Sequence, residues 1–165
     1  MINETIERLP AEIVQGYRNL LRHDSITCAI SDCMGRFNAM TSDMKPLFEG
    51  ARLVGSAITV RTLASDLAAA FKAIDICKPG DVNVPIQCGG VAVSPGDVVV
   101  VDGNGVVVVP MAQAALILEL AERLLATEHL LQEKIKAGAT IGELINVDEV
   151  FRSTFSYQNR AMKHG

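Results

Sequence analysis

The sequence has no tryptophan, and aromatic residues make up 4% of it. Yet 49% of its 165 residues are apolar, so the core must be built from Val, Leu, Ile and Ala. Runs of Lys or Arg are also missing, and the formal net charge is −4. A protein that gathers a phosphate backbone shows a basic footprint, so nucleic acid is not an expected partner. No apolar stretch approaches the ~18 residues of a membrane-spanning helix. The N-terminus carries Glu4 and Glu7 and lacks the apolar segment of a signal peptide. A soluble cytoplasmic protein without a membrane partner is the expectation. Cys28, Cys33, Cys77 and Cys88 form no C-x-x-C pair and have no His nearby, which argues against zinc and for buried reduced thiols. A chain of this length buries roughly 70% of its unfolded surface without staples, so residues 1–165 read as a single domain. The aliphatic excess also suggests a buried subunit interface.

What is present is periodic. Ile13, Val14, Tyr17, Leu20 and Leu21 fall on one face of a helix over 10–22. Asp24 or Ser25 is a candidate cap for a second helix, with Ile26, Ala29, Ile30 and Cys33 inward. A polar loop runs from Gly35 to Pro46. Leu53–Thr62 reads as one strand, with Val54, Ile58 and Val60 on one face. Ser65 then caps a helix that ends at Pro79-Gly80. Two valine runs, Val98–Val101 and Val106–Val109, flank Asp102-Gly103-Asn104-Gly105 and form a hairpin, because Asn and Gly tolerate positive φ. Neither run alternates with polar residues, so both faces of this sheet are expected to be covered. Pro110 ends the second strand. A long helix over about 111–137 follows, with Ile117, Leu120, Leu124, Leu131 and Ile135 inward and Gly138 as its stop. Thr140 and Glu143 have capping-box spacing for one more short helix. The tail, with Phe151, Phe155 and Tyr157, is expected to dock on the body or on a neighbouring subunit. The order of elements predicts an α/β layered fold.

No residue set names an active site by itself. Asp102-Gly-Asn-Gly fails the calcium-loop pattern, since Val106 stands where an oxygen ligand belongs and no glutamate closes the loop. It leads into a strand and so fails the dinucleotide fingerprint. Cys88-Gly89-Gly90 lacks a base, because His23, His129 and His164 are far away in sequence. Asp81 and Asp97 each follow a Gly in matching Pro-Gly-Asp-Val turns. One anomaly stands out: the copy at Pro95 opens a long strand, whereas the copy at Pro79 is cut off by Pro85.

The stretch NVPIQCGGVAVSPGDVVVVDGNGVVVVP, Asn83–Pro110, closely resembles a signature block of the RraA-like proteins, a family that includes the 4-hydroxy-4-methyl-2-oxoglutarate and 4-carboxy-4-hydroxy-2-oxoadipate aldolases. Its most specific part is carried by Gly96, Asp97, Asp102, Gly105 and Pro110. SDCMGR, PLFEGARLVGSAITVRT, KAIDICKPGDV and EKIKAGATIGEL resemble other parts of the family pattern. The resemblance implies a compact swivelling-type β/β/α layered domain with a central valine-rich hairpin and a long C-terminal helix, assembled as a homotrimer or hexamer. It implies Mg²⁺ or Mn²⁺ at a subunit interface and a 2-oxo acid substrate, cleaved to pyruvate or decarboxylated. In such chemistry a divalent ion stabilises the enolate charge as it develops.

The same resemblance accounts for the anomaly. In the family, the first Pro-Gly-Asp-Val opens a full strand, and a glycine turn, a helix and another strand precede the NVP block. Here Val82 runs straight into Asn83, so the domain is read as internally shortened near 82–83. The family keeps an Arg-Asp pair in that segment, the Asp holding metal through water and the Arg binding substrate. Each Arg here is followed by Leu, Asn, His, Phe, Thr, Ser or Ala, never by Asp. Leu67, Phe71 and Leu125 align where the aldolases often have Asn, His and a neighbouring subunit's Glu. The expectation is a chain that is silent or impaired alone and has no metal site. The alternatives are a lyase using substitute residues, with Asp66, Gln87, Cys88 and Asp102 as pocket candidates, and a non-catalytic regulator that binds a ribonuclease.

Overall fold

The computed structural model describes residues 8–44, 46–61 and 81–144, and the chain divides into two units between Leu124 and Leu125. In the first unit, α1 (Ala11–Leu20) buries Tyr17 and Leu20, and α2 (Ile26–Cys33) buries Ile26, Ala29 and Ile30. Neither expected cap serves α2. Ser25 sits at the cap position in a left-handed conformation without a side-chain bond, and Asp24 pairs with Arg52 at 2.6 Å. Arg52 also donates to the carbonyls of Leu21 (Nη1–O 2.5 Å) and His23, which fixes the α1–α2 turn to the start of the first strand.

A three-stranded antiparallel sheet runs in the order β1 (Leu53–Ser56), β6 (Val98–Asp102), β7 (Gly105–Val109). The valine runs form the expected hairpin, with Val98 opposite Val109 and Asp102 opposite Gly105. Cross-strand partners share a face. Val98, Val100, Val107 and Val109 therefore form one surface, and all four are fully buried. Each contributes about 1.5–3 kcal/mol of apolar burial. Helix α2 packs on β6 and β7, and α1 packs on β1.

The opposite surface corrects the expectation that both faces are covered. Val99, Val101 and Val106 are half-buried, and only Val108 is sealed. Its cover is a second hairpin, β4 (Ile86–Cys88) and β5 (Val91–Val93), whose Val91 and Val93 pack on Val108. Gly89 and Gly90 both have positive φ, as a two-residue hairpin turn between these strands requires. A hairpin, a sheet and helices thus stack as the β/β/α layers that the resemblance implies.

The strand expected over Leu53–Thr62 divides. β1 pairs with β6, whereas β2 (Val60–Arg61) pairs with β3 (Asp81–Val82). Between them Ala57 exchanges backbone bonds with Gly96 and Asp97, at 2.9 and 2.8 Å, and the chain changes sheets. Ile58 consequently points outward, 60% exposed, contrary to the expected inward face. β3 is only two residues long, as the anomaly at Pro79 predicts. Directly after it, Asn83 has φ +57 and donates its N–H to the Thr59 carbonyl at 2.7 Å. The buried Thr59 hydroxyl donates to Val84 O at 2.6 Å. Thr59 therefore holds the segment that follows β3 through both its carbonyl and its hydroxyl.

After Pro110 a 3₁₀ turn, Met111–Gln113, leads into α3 (Ala114–Lys136). Its first turns bury Ala114, Ile117, Leu118 and Ala121. Leu120 and Ile135, expected inward, are exposed. In the second unit Gly138 stops the helix at φ +100. Thr140 and Glu143 form the expected capping box for α4 (Ile141–Leu144): Thr140 N–H donates to Glu143 at 2.8 Å, and Glu143 N–H donates to the Thr140 hydroxyl at 3.3 Å. The helix expected after Ser65 and the aromatic tail lie outside the described residues.

Candidate functional site

The chemistry-bearing residues of the signature collect around the tip of the β6–β7 hairpin. Gly103 and Asn104 form its turn, and Asn104 N–H donates to Asp102 Oδ1 at 2.8 Å. Asp102 is buried. It accepts the Thr27 backbone N–H at 3.0 Å on Oδ2 and the Thr27 hydroxyl at 2.6 Å on Oδ1. Burial alone would raise its pKa. The donors from Thr27, Asn104 and Gly105 outweigh burial and hold the carboxyl below its ordinary range.

Two cavities flank this tip and share Met40, Asn104 and Gly105. One, of about 410 Å³, lies under the 40–50 loop and is lined by Met44, Leu47 and Phe48. The other, of about 370 Å³, lies along α2 and is lined by Cys28, Ser31 and the Asp32–Arg36 ion pair. The loop also clamps the other hairpin, since Thr41 N–H donates to Gly89 O at 2.8 Å.

The remaining candidates are placed elsewhere. Gln87 is exposed in β4 opposite Ala92, and Cys88 is half-buried against the Val91, Val93 and Val108 cluster. Neither lines the two cavities. Asp66, Leu67 and Phe71 lie outside the described residues, and Leu125 is buried. Asp97 is a buried brace: one carboxylate oxygen accepts Ser94 N–H at 2.7 Å and the other accepts Met111 N–H at 2.9 Å. Gly96 has φ +89 beside it, Gly105 opens β7, and Pro110 precedes the 3₁₀ turn. Thr27 and Thr59 escaped the sequence reading. The available signal was a hydroxyl flanked by buried-type residues, Ile26 in one case and Ile58 and Val60 in the other.

The Aldolase/RraA family model, RraA-like, matches residues 27–84 and, separately, 78–108. The chain belongs to the RraA-like family. Among curated relatives of this RraA-like chain, an uncharacterized protein of Methanocaldococcus jannaschii is 36% identical over 69 residues, 42% of this chain and 33% of the relative. The chain thus spans a third of that relative's length. A Halalkalibacterium halodurans protein bearing the name "Putative 4-hydroxy-4-methyl-2-oxoglutarate aldolase" is 26% identical over 164 positions, covering 59% of this chain and 78% of the relative. Since 59% of 165 residues is about 97, roughly 67 of those positions face no residue here. Two solved structures share the fold. A Pseudomonas syringae protein has a TM-score of 0.67 at 19% identity, covering 84% of this chain and 95% of its own. Streptomyces coelicolor RraAS2, described as an unusual member of the RNase ES inhibitor RraA protein family, has a TM-score of 0.57 at 20% identity, covering 82% and 100%.

Aldolases of this family depend in general on a divalent metal, and the described residues of the RraA-like chain do not fit one. Among them no three His, Cys, Asp or Glu side chains group to hold an ion. Asp97 and Asp102, the carboxylates of the signature, spend both their oxygens on donors from their own chain.

Proposed function

We propose that this chain is a single RraA-like domain, shortened near 82–83, that retains the family scaffold without its metal-dependent lyase chemistry. The observation that carries this reading is the seam. The family match breaks into two pieces that overlap at 78–84, and there β3 passes into β4 through Asn83. The family's Arg-Asp pair belongs to the segment absent at this point, and no Arg in the sequence precedes an Asp. Without that pair, none of the described residues orients a 2-oxo acid and a cation together, and among them the enolate charge has no preorganised partner.

The chain is further proposed to self-associate, as a homotrimer or hexamer. Phe37, Leu47 and Phe48 on the 34–50 loop support this, since Leu47 is 100% exposed and the two phenylalanines more than 70%. Mass measurement in solution checks it, and a clean monomer refutes it. Among the described residues no helix is long and apolar enough to cross a membrane.

The test of the catalytic reading is to incubate the chain with oxaloacetate and Mg²⁺ or Mn²⁺ and follow pyruvate. The expected rate equals that of metal and buffer alone. A protein-dependent rate abolished by chelation overturns the reading.

A further inference from the structure

We infer that Asp102 is the N-terminal cap of α2, delivered from a hairpin tip 75 residues away, and that it is held for this task and not for a cation. The first turn of any helix leaves N–H groups without intrahelical partners. A Ser at the cap position normally takes the N–H of the second or third helical residue. In α2 this local device fails: Ser25 is left-handed, at φ 58, with no side-chain cap, and the first turn has no acidic residue. Thr27 is the second residue of α2, the position a capping side chain serves. Its N–H goes to Asp102 Oδ2 and its hydroxyl to Oδ1. The cap is therefore present, and it is tertiary.

Three further facts fit this role. A carboxylate beside a helix N-terminus is favoured by the helix dipole, more so when partly buried. The same carboxylate accepts Asn104 N–H, so the hairpin turn and α2 are fixed to one group. A divalent ion at these oxygens would displace donors already in place and would face the positive end of α2, which repels it. Asp102 thus sets the spacing between α2 and the hairpin, the two walls of the 370 Å³ cavity: Thr27, Cys28 and Ser31 on one side, Asn104 to Val107 on the other. The inference stands apart from the silent-scaffold proposal, because a lyase built on other residues would still need this cap.

Hydrogen–deuterium exchange on the full chain tests it, in wild type, Asp102→Ala and Thr27→Val. Removing the carboxylate is expected to speed exchange in peptides spanning 26–30 roughly five- to thirty-fold, the factor a lost cap confers. Thr27→Val keeps the amide bond and loses only the hydroxyl, so it gives a smaller acceleration in the same peptides. It also supplies the reading if Asp102→Ala does not fold. Unchanged exchange across 26–30 in the variants overturns the inference. Mn²⁺ added to wild type is expected to leave the peptides holding Thr27 and Asp102–Gly105 unaffected. Stoichiometric Mn²⁺ binding that protects both peptides overturns it as well. Mn²⁺ protecting other peptides leaves the cap in place and counts only against the silent-scaffold proposal.

Discussion

Placing an alanine at Gly89 tests how tightly the second hairpin is seated. Gly89 has φ +55, a region that costs an L-residue roughly 1–2 kcal/mol. A Cβ there would also meet Met44 Cγ at 2.7 Å, Met40 Cβ at 2.8 Å and Met40 Cγ at 3.0 Å. Met44 can swing its chain aside. Met40 Cβ cannot move without its backbone, and that backbone is held by the Met40 N–H bond to Val106 O at 2.9 Å. Overpacking of this kind adds about 1–3 kcal/mol, so Gly89→Ala is expected to lose roughly 2–5 kcal/mol. Two neighbours separate the contributions. Gly90 has φ +80, but its Cβ would meet only Thr41 Cγ2 at 3.2 Å, so Gly90→Ala mainly pays the backbone cost of about 1–2 kcal/mol. At Gly103 a Cβ meets nothing within 4 Å, and substitution there falls within about 0.5 kcal/mol of wild type. Urea unfolding of the three variants measures the order. Equal stabilities for Gly89→Ala and Gly103→Ala would refute the seating of the β4–β5 turn under the 40–44 loop.

Tyr17 is fully buried and donates its hydroxyl to Ala114 O at 2.8 Å, and burial, with Cys33 adding to it, pushes the phenol well above its usual range, so it stays a donor. Tyr17→Phe removes that bond while the Ala114 carbonyl keeps its place in the helix ladder of α3, and denaturant unfolding is expected to register a loss of about 0.5–1.5 kcal/mol. Asp102 has a folded pKa below its ordinary value, so its stabilisation is complete above the unfolded value near 4 and is lost as pH falls through the folded value. The stability gap between wild type and Asp102→Asn should therefore be constant from pH 7 to about pH 5 and close below about pH 4; a gap unchanged at about pH 2.5 contradicts the assignment.

Local chemistry made part of this fold legible. Two valine runs around Asp-Gly-Asn-Gly can hardly avoid a hairpin, and Thr140, Glu143 and Gly138 carry their own stop and start signals. The division of the Leu53–Thr62 segment was not legible. It depends on Ala57 exchanging bonds with Gly96 and Asp97, some forty residues later. The buried stripe of α3 was misread for a different reason. Nine of the twelve positions from Ala114 to Leu125 are Ala, Leu or Ile, and the expectation for Leu120 passed over the outer face marked by Glu119, Glu122 and Arg123, which flanks Leu116 and Leu120 and lies opposite Ile117 and Ala121. The cap on α2 was invisible because its donor and acceptor come from opposite ends of the first unit. The shortness of β3 was legible only through the interrupted repeat of Pro-Gly-Asp-Val, and the bonds of Thr59 to the residues that follow it were not legible at all.

The fastening at Thr59 has a practical consequence for anyone rebuilding the chain. On the proposed shortening, residues 82 and 83 are the place to graft an insert. Any graft there must first pull Asn83 away from the Thr59 carbonyl and Val84 away from its hydroxyl. An insert placed there is thus in competition with contacts already made, and one lacking its own claim on Thr59 starts at a disadvantage.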